Sequence, residues 1–328
     1  MHTRLLCGSV AALSLSLATG PLSAAEFRAL SSWDQSYVPR TALFEKFLKN
    51  VEVASKGDMK FNVSGPETVP PFEQLQPAGS NVFQFLFSHG AYHFGTTPYL
   101  VAVEGLSGDL AKWRAAGIKE QIDKHYQRFG LKYLVMPLVP EGSAYNVMLK
   151  APVGPSGDLQ GRKIRATQTY AGVLSMLGAS PVNLPPAEIY PSLEKGVVDG
   201  AAWPVIGPLG YRWYEVAKYV MRPSFGVVIN SVFVNLGAWN SLSEAQRKLL
   251  NDEAVKMEDA WYADWPKIAK EEEDGLLAKG AQLTEIGATQ KAKLADAWTA
   301  GVLDFTMPKS PKDIGELRDF AKSKGLLR

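Results

Sequence analysis

Cysteine and histidine are scarce in this sequence. Its 328 residues include one cysteine, Cys7, and four histidines. Because Cys7 lies in the first 25 residues, which have the features of a cleaved leader, the rest of the chain is expected to contain neither a disulfide bond nor a catalytic thiol. An exported protein without disulfides depends on its hydrophobic core, which suits a bacterial periplasmic protein better than a small extracellular module.

Common signatures of catalysis and of nucleotide or metal binding are also absent. No G-x-S-x-G, G-x-x-x-x-G-K-[ST] or G-x-G-x-x-G motif occurs, which argues against a nucleophile elbow and a phosphate-binding loop. His89 and His93 are four residues apart, but they lack the glutamate of an H-E-x-x-H helix and a third ligand. We therefore predict no enzyme activity, no metal and no cofactor. The net charge of +2 gives no electrostatic reason to expect nucleic-acid binding.

The first 25 residues have the composition of a secretory signal peptide. Arg4 precedes an apolar run from Leu5 to about Ala18, and small residues at 23–25 form an A-x-A-like cleavage site. The alternative, an uncleaved anchor, would need a span of ~20 apolar residues, and this run is shorter and interrupted by Ser and Gly. We therefore predict a signal peptide over residues 1–25 and a mature protein in the periplasm.

The order of the predicted elements favours an α/β fold. A strand over 26–33, an amphipathic helix over 37–55 and a strand over 56–67 are typical of a parallel sheet with crossover helices. A second α/β block begins near Gly154. The apolar run 225–235 is interpreted as a strand long enough to pass from one domain to another.

A long helix is predicted in the last third of the chain. Ser243 and Gln246 form a capping box, and apolar residues recur at helical spacing as far as about Ala278. Such a helix would be ~50 Å long, more than the width of one small domain, and Pro266 is expected to kink it. With this helix spanning both, the predicted domains are domain I, residues 26–148 and about 230–250, and domain II, residues 149–229 and about 251–328.

Arg165 is the candidate binding residue with the clearest chemistry. Lys163 and Arg165 share one face of a predicted strand, and Arg165 lies where that strand leads into a helix. In open α/β folds ligands bind beyond the carboxyl ends of the strands, where a guanidinium can hold a carboxylate through two hydrogen bonds. On the strand pattern alone, an arginine exposed to solvent is the commoner outcome. Both interpretations are open at this point, and Lys163 is expected at the rim.

The segment from Asp158 to Gly200 has the most specific pattern in the chain. D-L-Q-G-R-K-I-R ends at Arg165, L-G-A follows at 177–179, P-x-x-E-x-Y begins at Pro185, and V-V-D-G ends at Gly200. This order closely resembles the solute receptors of tripartite ATP-independent periplasmic (TRAP) transporters, the DctP-type family. The resemblance extends over essentially the whole chain after the leader.

The resemblance implies a periplasmic solute-binding protein fold, in which two α/β domains with a cleft are joined by crossing strands and a long inter-domain helix. It implies a monomeric receptor that closes over a small organic acid. The family arginine that matches Arg165 pairs with the carboxylate of that acid. The loaded receptor delivers the acid to a small and a large integral membrane subunit, driven by a sodium gradient.

Departures from the family pattern refine these expectations. Pro191 replaces the usual alanine of E-x-Y-x-A-L. Trp203 resembles the branch that binds 2-oxo acids, but Ala202 stands where that branch has a metal-site glutamate, so no metal is expected. The region around Tyr145 lacks the second arginine of dicarboxylate receptors. We therefore expect the ligand to be a monocarboxylate. A 2-oxo acid or an aromatic acid would be compatible with Trp203.

Further candidates for the wall of the cleft follow the first strand and the matching family loop. They are Trp33, Gln35 and Tyr37, then Tyr92, His93 and Thr96, and in later segments Tyr145 and Asn230. Core packing is the default for each aromatic residue alone, and Asn230 fits a hinge as well as a ligand contact. Together, aromatics at strand ends suit a pocket for a mostly apolar acid. The alternatives are the binding protein of an ATP-driven importer and an exported α/β enzyme.

Overall fold

The computed structural model describes residues 25–327. The predicted signal peptide, residues 1–25, lies outside this range except for Ala25, the first residue of a strand. Within residues 25–327, no helix combines the length and the hydrophobicity needed to cross a membrane.

Two mixed sheets form the framework of the described chain. The first has the strand order β2-β1-β3-β10-β4 and the second β11-β9-β5-β8-β6-β7, where the strands are β1 Ala25–Ser31, β2 Met59–Ser64, β3 Phe85–His89, β4 Leu131–Val135, β5 Tyr145–Leu149, β6 Lys163–Arg165, β7 Ser180–Val182, β8 Gly200–Pro204, β9 Tyr219–Arg222, β10 Asn230–Asn235 and β11 Gln282–Glu285. β1 pairs in parallel with β2 and β3, as the predicted strand–helix–strand order requires. β10 runs antiparallel between β3 and β4.

Helices cover and connect the sheets. They are α1 Lys46–Ala54, α2 Leu75–Gly79, α3 Tyr99–Val103, α4 Leu110–Ala116, α5 Ile118–Tyr126, α6 Ala171–Met176, α7 Ile189–Glu194, α8 Leu236–Ser241, α9 Glu244–Ala278, α10 Ala288–Thr306 and α11 Pro311–Ser323. Local chemistry sets several of their ends. Asp109 caps α4 by accepting from the Lys112 N–H at 2.8 Å, and Gly117 ends it with a left-handed φ of 80°.

The chain crosses between the sheets three times, the third time from β10 to β11 through α8 and α9. The first crossing joins β4 to β5, and the second joins β9 to β10 through residues 223–229. Phe225 bridges to Tyr145 in the second sheet, whereas Asn230 pairs with His89 in the first. The predicted continuous strand over 225–235 is therefore wrong in extent. Its first half is apolar because it is buried at the crossing.

The long helix α9 confirms the prediction made from its capping box. The Ser243 hydroxyl accepts from the Gln246 N–H, and the Gln246 side chain accepts from the Ser243 N–H. The helix is continuous through Pro266. Its residue Glu258 accepts from Met136 N at the first crossing, and Glu272 accepts from Leu209 N after β8. α9 thus contacts both halves of the molecule.

The C-terminal helix α11 packs on the side of the first sheet. Ile314, Leu317 and Leu326 lie in the same buried cluster as Trp113 of α4. The Ser107 N–H donates to the Leu326 carbonyl at 2.8 Å. This packing differs from the predicted placement of the whole C-terminal segment in domain II.

Candidate functional site

A buried cavity lies between the two sheets at the ends of their strands. The space open to the centre of a water molecule is about 20 Å³. Its lining residues come from both sheets and from the turns that follow their strands: Trp33, Tyr37, His89, Tyr92, Tyr145, Arg165, Thr167, Tyr170, Trp203, Pro204 and Asn230. A space of this size holds about one water molecule, so the two walls must separate to admit an organic acid.

Arg165 is buried at the end of β6 and is only 1% exposed. Lys163, two residues earlier, is exposed. The Arg165 Nε and Nη2 donate to the Leu184 carbonyl at 3.0 and 2.8 Å, and Nη1 donates to the Ala202 carbonyl at 3.3 Å. Its guanidinium lies 5.0 Å from the centre of the Trp203 ring. These contacts fix the guanidinium at the cavity wall.

No acidic side chain among residues 25–327 forms an ion pair with Arg165. Burial lowers the pKa of Arg165, partly offset by the neighbouring tyrosine hydroxyls, Tyr92 first. A buried cation held only by neutral groups is costly, and a bound anion would offset much of this cost. The site is therefore chemically suited to a carboxylate.

Aromatic side chains that follow the strands of the first sheet form one wall of the cavity. Trp33 Nε1 donates to the Tyr92 hydroxyl at 3.1 Å, and the Trp33 ring lies 5.0 Å from the Tyr37 ring. Burial raises the pKa of Tyr92 to about 12, an effect that Arg165 reduces. The Tyr92 hydroxyl therefore stays neutral at physiological pH and can donate or accept a hydrogen bond.

Glu104 organises the hinge side of the cavity. Its Oε1 accepts from Ile229 N at 2.9 Å and bonds His89 Nε2 at 2.8 Å, and its Oε2 accepts from the Tyr145 hydroxyl at 3.4 Å. Because the Ala91 N–H donates to His89 Nδ1, the ring proton of His89 lies on Nε2. Glu104 thereby ties the second crossing to a tyrosine of the cavity wall.

A loop after β8 packs against the cavity-wall residues Tyr37 and Trp203. The Tyr211 ring stacks on Tyr37 at 6.1 Å and meets Trp203 edge-on at 6.0 Å. Gly207 has a φ of +122°, and a Cβ there would lie 2.8 Å from Trp203 Nε1. Burial raises the pKa of Glu272, which anchors this loop, to about 7.

Seven of the ten residues predicted for the site line this cavity: Trp33, Tyr37, Tyr92, Tyr145, Arg165, Trp203 and Asn230. The other three lie elsewhere. Gln35 is exposed in a turn, and Thr96 is exposed and lines a separate surface depression with Arg128. His93 is in the core of the first half, where its Nε2 lies 2.6 Å from the Tyr126 hydroxyl, and burial lowers its pKa to about 3.

Sequence reasoning missed four lining residues, His89, Thr167, Tyr170 and Pro204, and the supporting residue Glu104. Thr167 and Tyr170 follow Arg165 directly, so the strand–turn–helix pattern already contained a signal for them. His89 ends β3, and Glu104 directly follows the apolar helix α3. An acidic residue within an apolar segment is a signal of a functional or supporting role. The sequence does not show what Glu104 contacts, because its partners are distant in the chain.

In the part of the chain that the structure describes, no three His, Cys, Asp or Glu side chains converge on a metal position. Ala202 lies on β8 beside Trp203 and offers no ligand.

Comparison with known proteins identifies the family. Residues 92–306 match the DctP family, bacterial extracellular solute-binding protein family 7. Because this match covers more than half of the chain, the protein belongs to that family. The resemblance drawn from the 158–200 motifs, to TRAP transporter solute-binding proteins, is confirmed.

Individual relatives agree with this assignment. A monocarboxylate 2-oxoacid-binding periplasmic protein of Nostoc is 25% identical over 78% of this chain and 72% of its own length. A TRAP periplasmic solute-binding protein from Desulfovibrio salexigens, solved with orotic acid, has a TM-score of 0.79 at 20% identity, covering 91% of this chain and 98% of that one. A Bordetella bronchiseptica TRAP protein, with copurified calcium and picolinate, has a TM-score of 0.79 at 22% identity, covering 92% and 91%. The predicted two-domain fold is confirmed.

Proposed function

We propose that this protein is the periplasmic receptor of a TRAP transporter and that it captures a small monocarboxylic acid through Arg165. The observation that carries the proposal is the burial of this guanidinium, 1% exposed, at a cavity between the two sheets. Residues 1–25 would direct export and be removed.

Binding would proceed by closure of the two halves. Arg165 belongs to the second sheet, whereas Trp33, Tyr92 and Asn230 belong to the first half. A ligand that contacts both walls stabilises the closed form relative to the open one, which is how ligands drive hinge closure.

The acid would carry one carboxylate and bind without a metal. Arg165 is the cationic side chain among the residues that line the cavity, so a second carboxylate would be buried without a partner. The names of the Nostoc relative and of the ligands orotic acid and picolinate support a monocarboxylate. No cofactor is required for this role.

The loaded receptor would act as a monomer and dock on the small and large integral membrane subunits, with transport driven by sodium. It would not be an enzyme, because the cavity lining contains no serine or cysteine nucleophile beside a base. Its part in transport is reversible binding and delivery.

A thermal-shift screen of small carboxylic acids, followed by calorimetric titration of the hits, tests the proposal. A ligand at 100 times its Kd stabilises the protein by about 2.7 kcal/mol. Arg165→Ala should weaken binding by roughly 30-fold or more, since truncating one partner of a buried charged pair costs about 2–5 kcal/mol.

Lys163→Ala is the matched control, because Lys163 is on the same short strand but exposed. It should change the affinity by less than about 3-fold, as expected of an exposed charge. Two results would contradict the proposal. One is a set of hits that lack a carboxylate. The other is a loss of affinity of less than about 10-fold for Arg165→Ala, where a tenfold loss corresponds to about 1.4 kcal/mol.

A further inference from the structure

Asn230 presents a hydrogen-bond acceptor at the cavity wall. It is the first residue of β10, is 5% exposed, and lines the cavity. Its Nδ2 donates to the Tyr37 hydroxyl at 3.1 Å. Its Oδ1 is buried and has no hydrogen-bond partner among the described residues.

The hydroxyl that this amide contacts belongs to a side chain held in place by its neighbours. Tyr37 is fully buried, and its ring packs against Trp33 at 5.0 Å and Trp203 at 5.8 Å. The Tyr37 hydroxyl therefore cannot move away from Asn230 without breaking the aromatic wall. With Nδ2 engaged there, Oδ1 is the free end of the amide.

Other buried polar atoms without partners do not compete for this role. Trp203 Nε1 packs beside Gly207, on the loop side of its ring. Asn146 and Thr169 have unpartnered oxygens but do not line the cavity. An unpartnered buried carbonyl oxygen is costly and rare in native proteins, which indicates that Asn230 Oδ1 meets a donor supplied by the ligand.

We propose that Asn230 makes the receptor selective for acids that carry a hydroxyl or N–H group in addition to the carboxylate. This inference rests on the proposed function. Arg165 holds the carboxylate from the second sheet, and Asn230 Oδ1 accepts the ligand's hydrogen bond from the first sheet. A donor group therefore helps to join the two walls.

The same geometry disfavours 2-oxo acids. A keto oxygen is an acceptor only, so it leaves Asn230 Oδ1 unpaired and places two oxygen lone pairs near each other. The cost of an unsatisfied buried acceptor corresponds to a loss of affinity of about 10-fold or more. On this point the protein would differ from the Nostoc relative, which is named for 2-oxoacids.

Matched acids test the inference by calorimetric titration of the full mature chain. The probe sets are lactate, pyruvate and propionate; mandelate, phenylglyoxylate and phenylacetate; and pyroglutamate with cyclopentanecarboxylate. In each set that binds, the member with a hydroxyl or N–H should bind at least ~10-fold more tightly than its partners.

Two variants separate selection by Asn230 from a structural role. Asn230→Leu should abolish the preference, lowering the affinity of the donor-bearing acid relative to the other members of its set by about 10-fold or more. Tyr37→Phe keeps Asn230 but removes the hydrogen bond to its amide, which can then turn Nδ2 toward a keto oxygen, so the preference for the donor-bearing acid should shrink.

The outcomes distinguish this inference from the proposed function. If acids bind through Arg165 but the hydroxy and oxo members have equal affinity, or if Asn230→Leu weakens both equally, the selection by Asn230 is refuted and the receptor assignment stands. If none of these acids binds, or if Arg165→Ala leaves their binding unchanged, the proposed function fails and this inference fails with it.

Discussion

Glu272 on α9 is expected to make the stability of the protein fall as the pH rises. Its carboxylate is 5% exposed and accepts from Leu209 N at 2.6 Å. Burial raises its pKa from 4.5 to about 7, although backbone N–H donors oppose this effect. The folded protein therefore holds the proton more tightly than the unfolded chain. The resulting stabilisation is complete below pH 4.5 and is lost as the pH rises through about 7.

The magnitude follows from the change in pKa. Moving a carboxyl pKa from 4.5 to about 7 corresponds to about 3 kcal/mol, most of it lost between pH 5 and pH 8. Glu272→Gln keeps an acceptor for Leu209 N but cannot ionise. We expect the Tm of this variant, relative to wild type, to rise by roughly 5 °C between pH 5 and pH 8.

Differential scanning calorimetry of both proteins across this range measures the effect. Burial lowers the pKa of His93 to about 3 and of His125 to about 4, so their stabilisation is lost as the pH falls below 6.5. Both histidines are present in wild type and variant, and their effects cancel in the difference. Glu271→Gln, at an exposed neighbouring position, is the control and should show no trend. A difference in Tm between Glu272→Gln and wild type that stays constant with pH would refute the argument.

Two further substitutions test buried contacts outside the cavity lining. Gly301→Ala should lower the free energy of unfolding, measured in urea, by about 1–3 kcal/mol, because its Cβ would lie 2.4 Å from the Gly172 Cα where α10 crosses α6. The control, Gly315→Ala, has open space around it and should be neutral or stabilising. Equal effects of the two substitutions would contradict this packing. Glu258→Ala should lower the free energy of unfolding by about 3 kcal/mol, since Glu258 is 1% exposed and binds both Arg114 at 2.9 Å and Lys119 at 2.6 Å. Asp259 is exposed, so Asp259→Ala should lower it by less than about 1 kcal/mol. A loss for Asp259→Ala as large as that for Glu258→Ala would show that burial does not decide the difference.

Local signals in the sequence predicted the elements that depend on local chemistry. The capping box at Ser243 placed the start of α9 within one residue. Alternation places Lys163 and Arg165 on the same strand face, and the position of Arg165 at the strand–helix junction distinguished it from the exposed Lys163. In both cases neighbours in the chain determine the outcome, because a cap and a strand end are defined over a few residues.

Features that depend on distant contacts were not predictable in this way. The apolar run 225–235 was interpreted as one strand, yet residues 226–229 are apolar because they are buried at the crossing. His89 and His93 were compared as if they lay on a helix, but His89 ends β3 and His93 ends the turn that follows. Their side chains therefore separate, one to the cavity and the other to the core.

The cavity shows why strand ends were more informative than residue types. Trp33 follows β1, Tyr92 follows β3, and Trp203 lies near the end of β8, so the topology of the two sheets brings them to one cavity. An aromatic residue in the middle of a strand, rather than after its end, would pack in the core, although the amino-acid composition of the chain would be the same. What the sequence lacked was the pairing of β10 against β3, which places Asn230 beside His89. Antiparallel insertion brings the first residue of β10 to the edge where parallel strands end, and the acceptor of the site is located there.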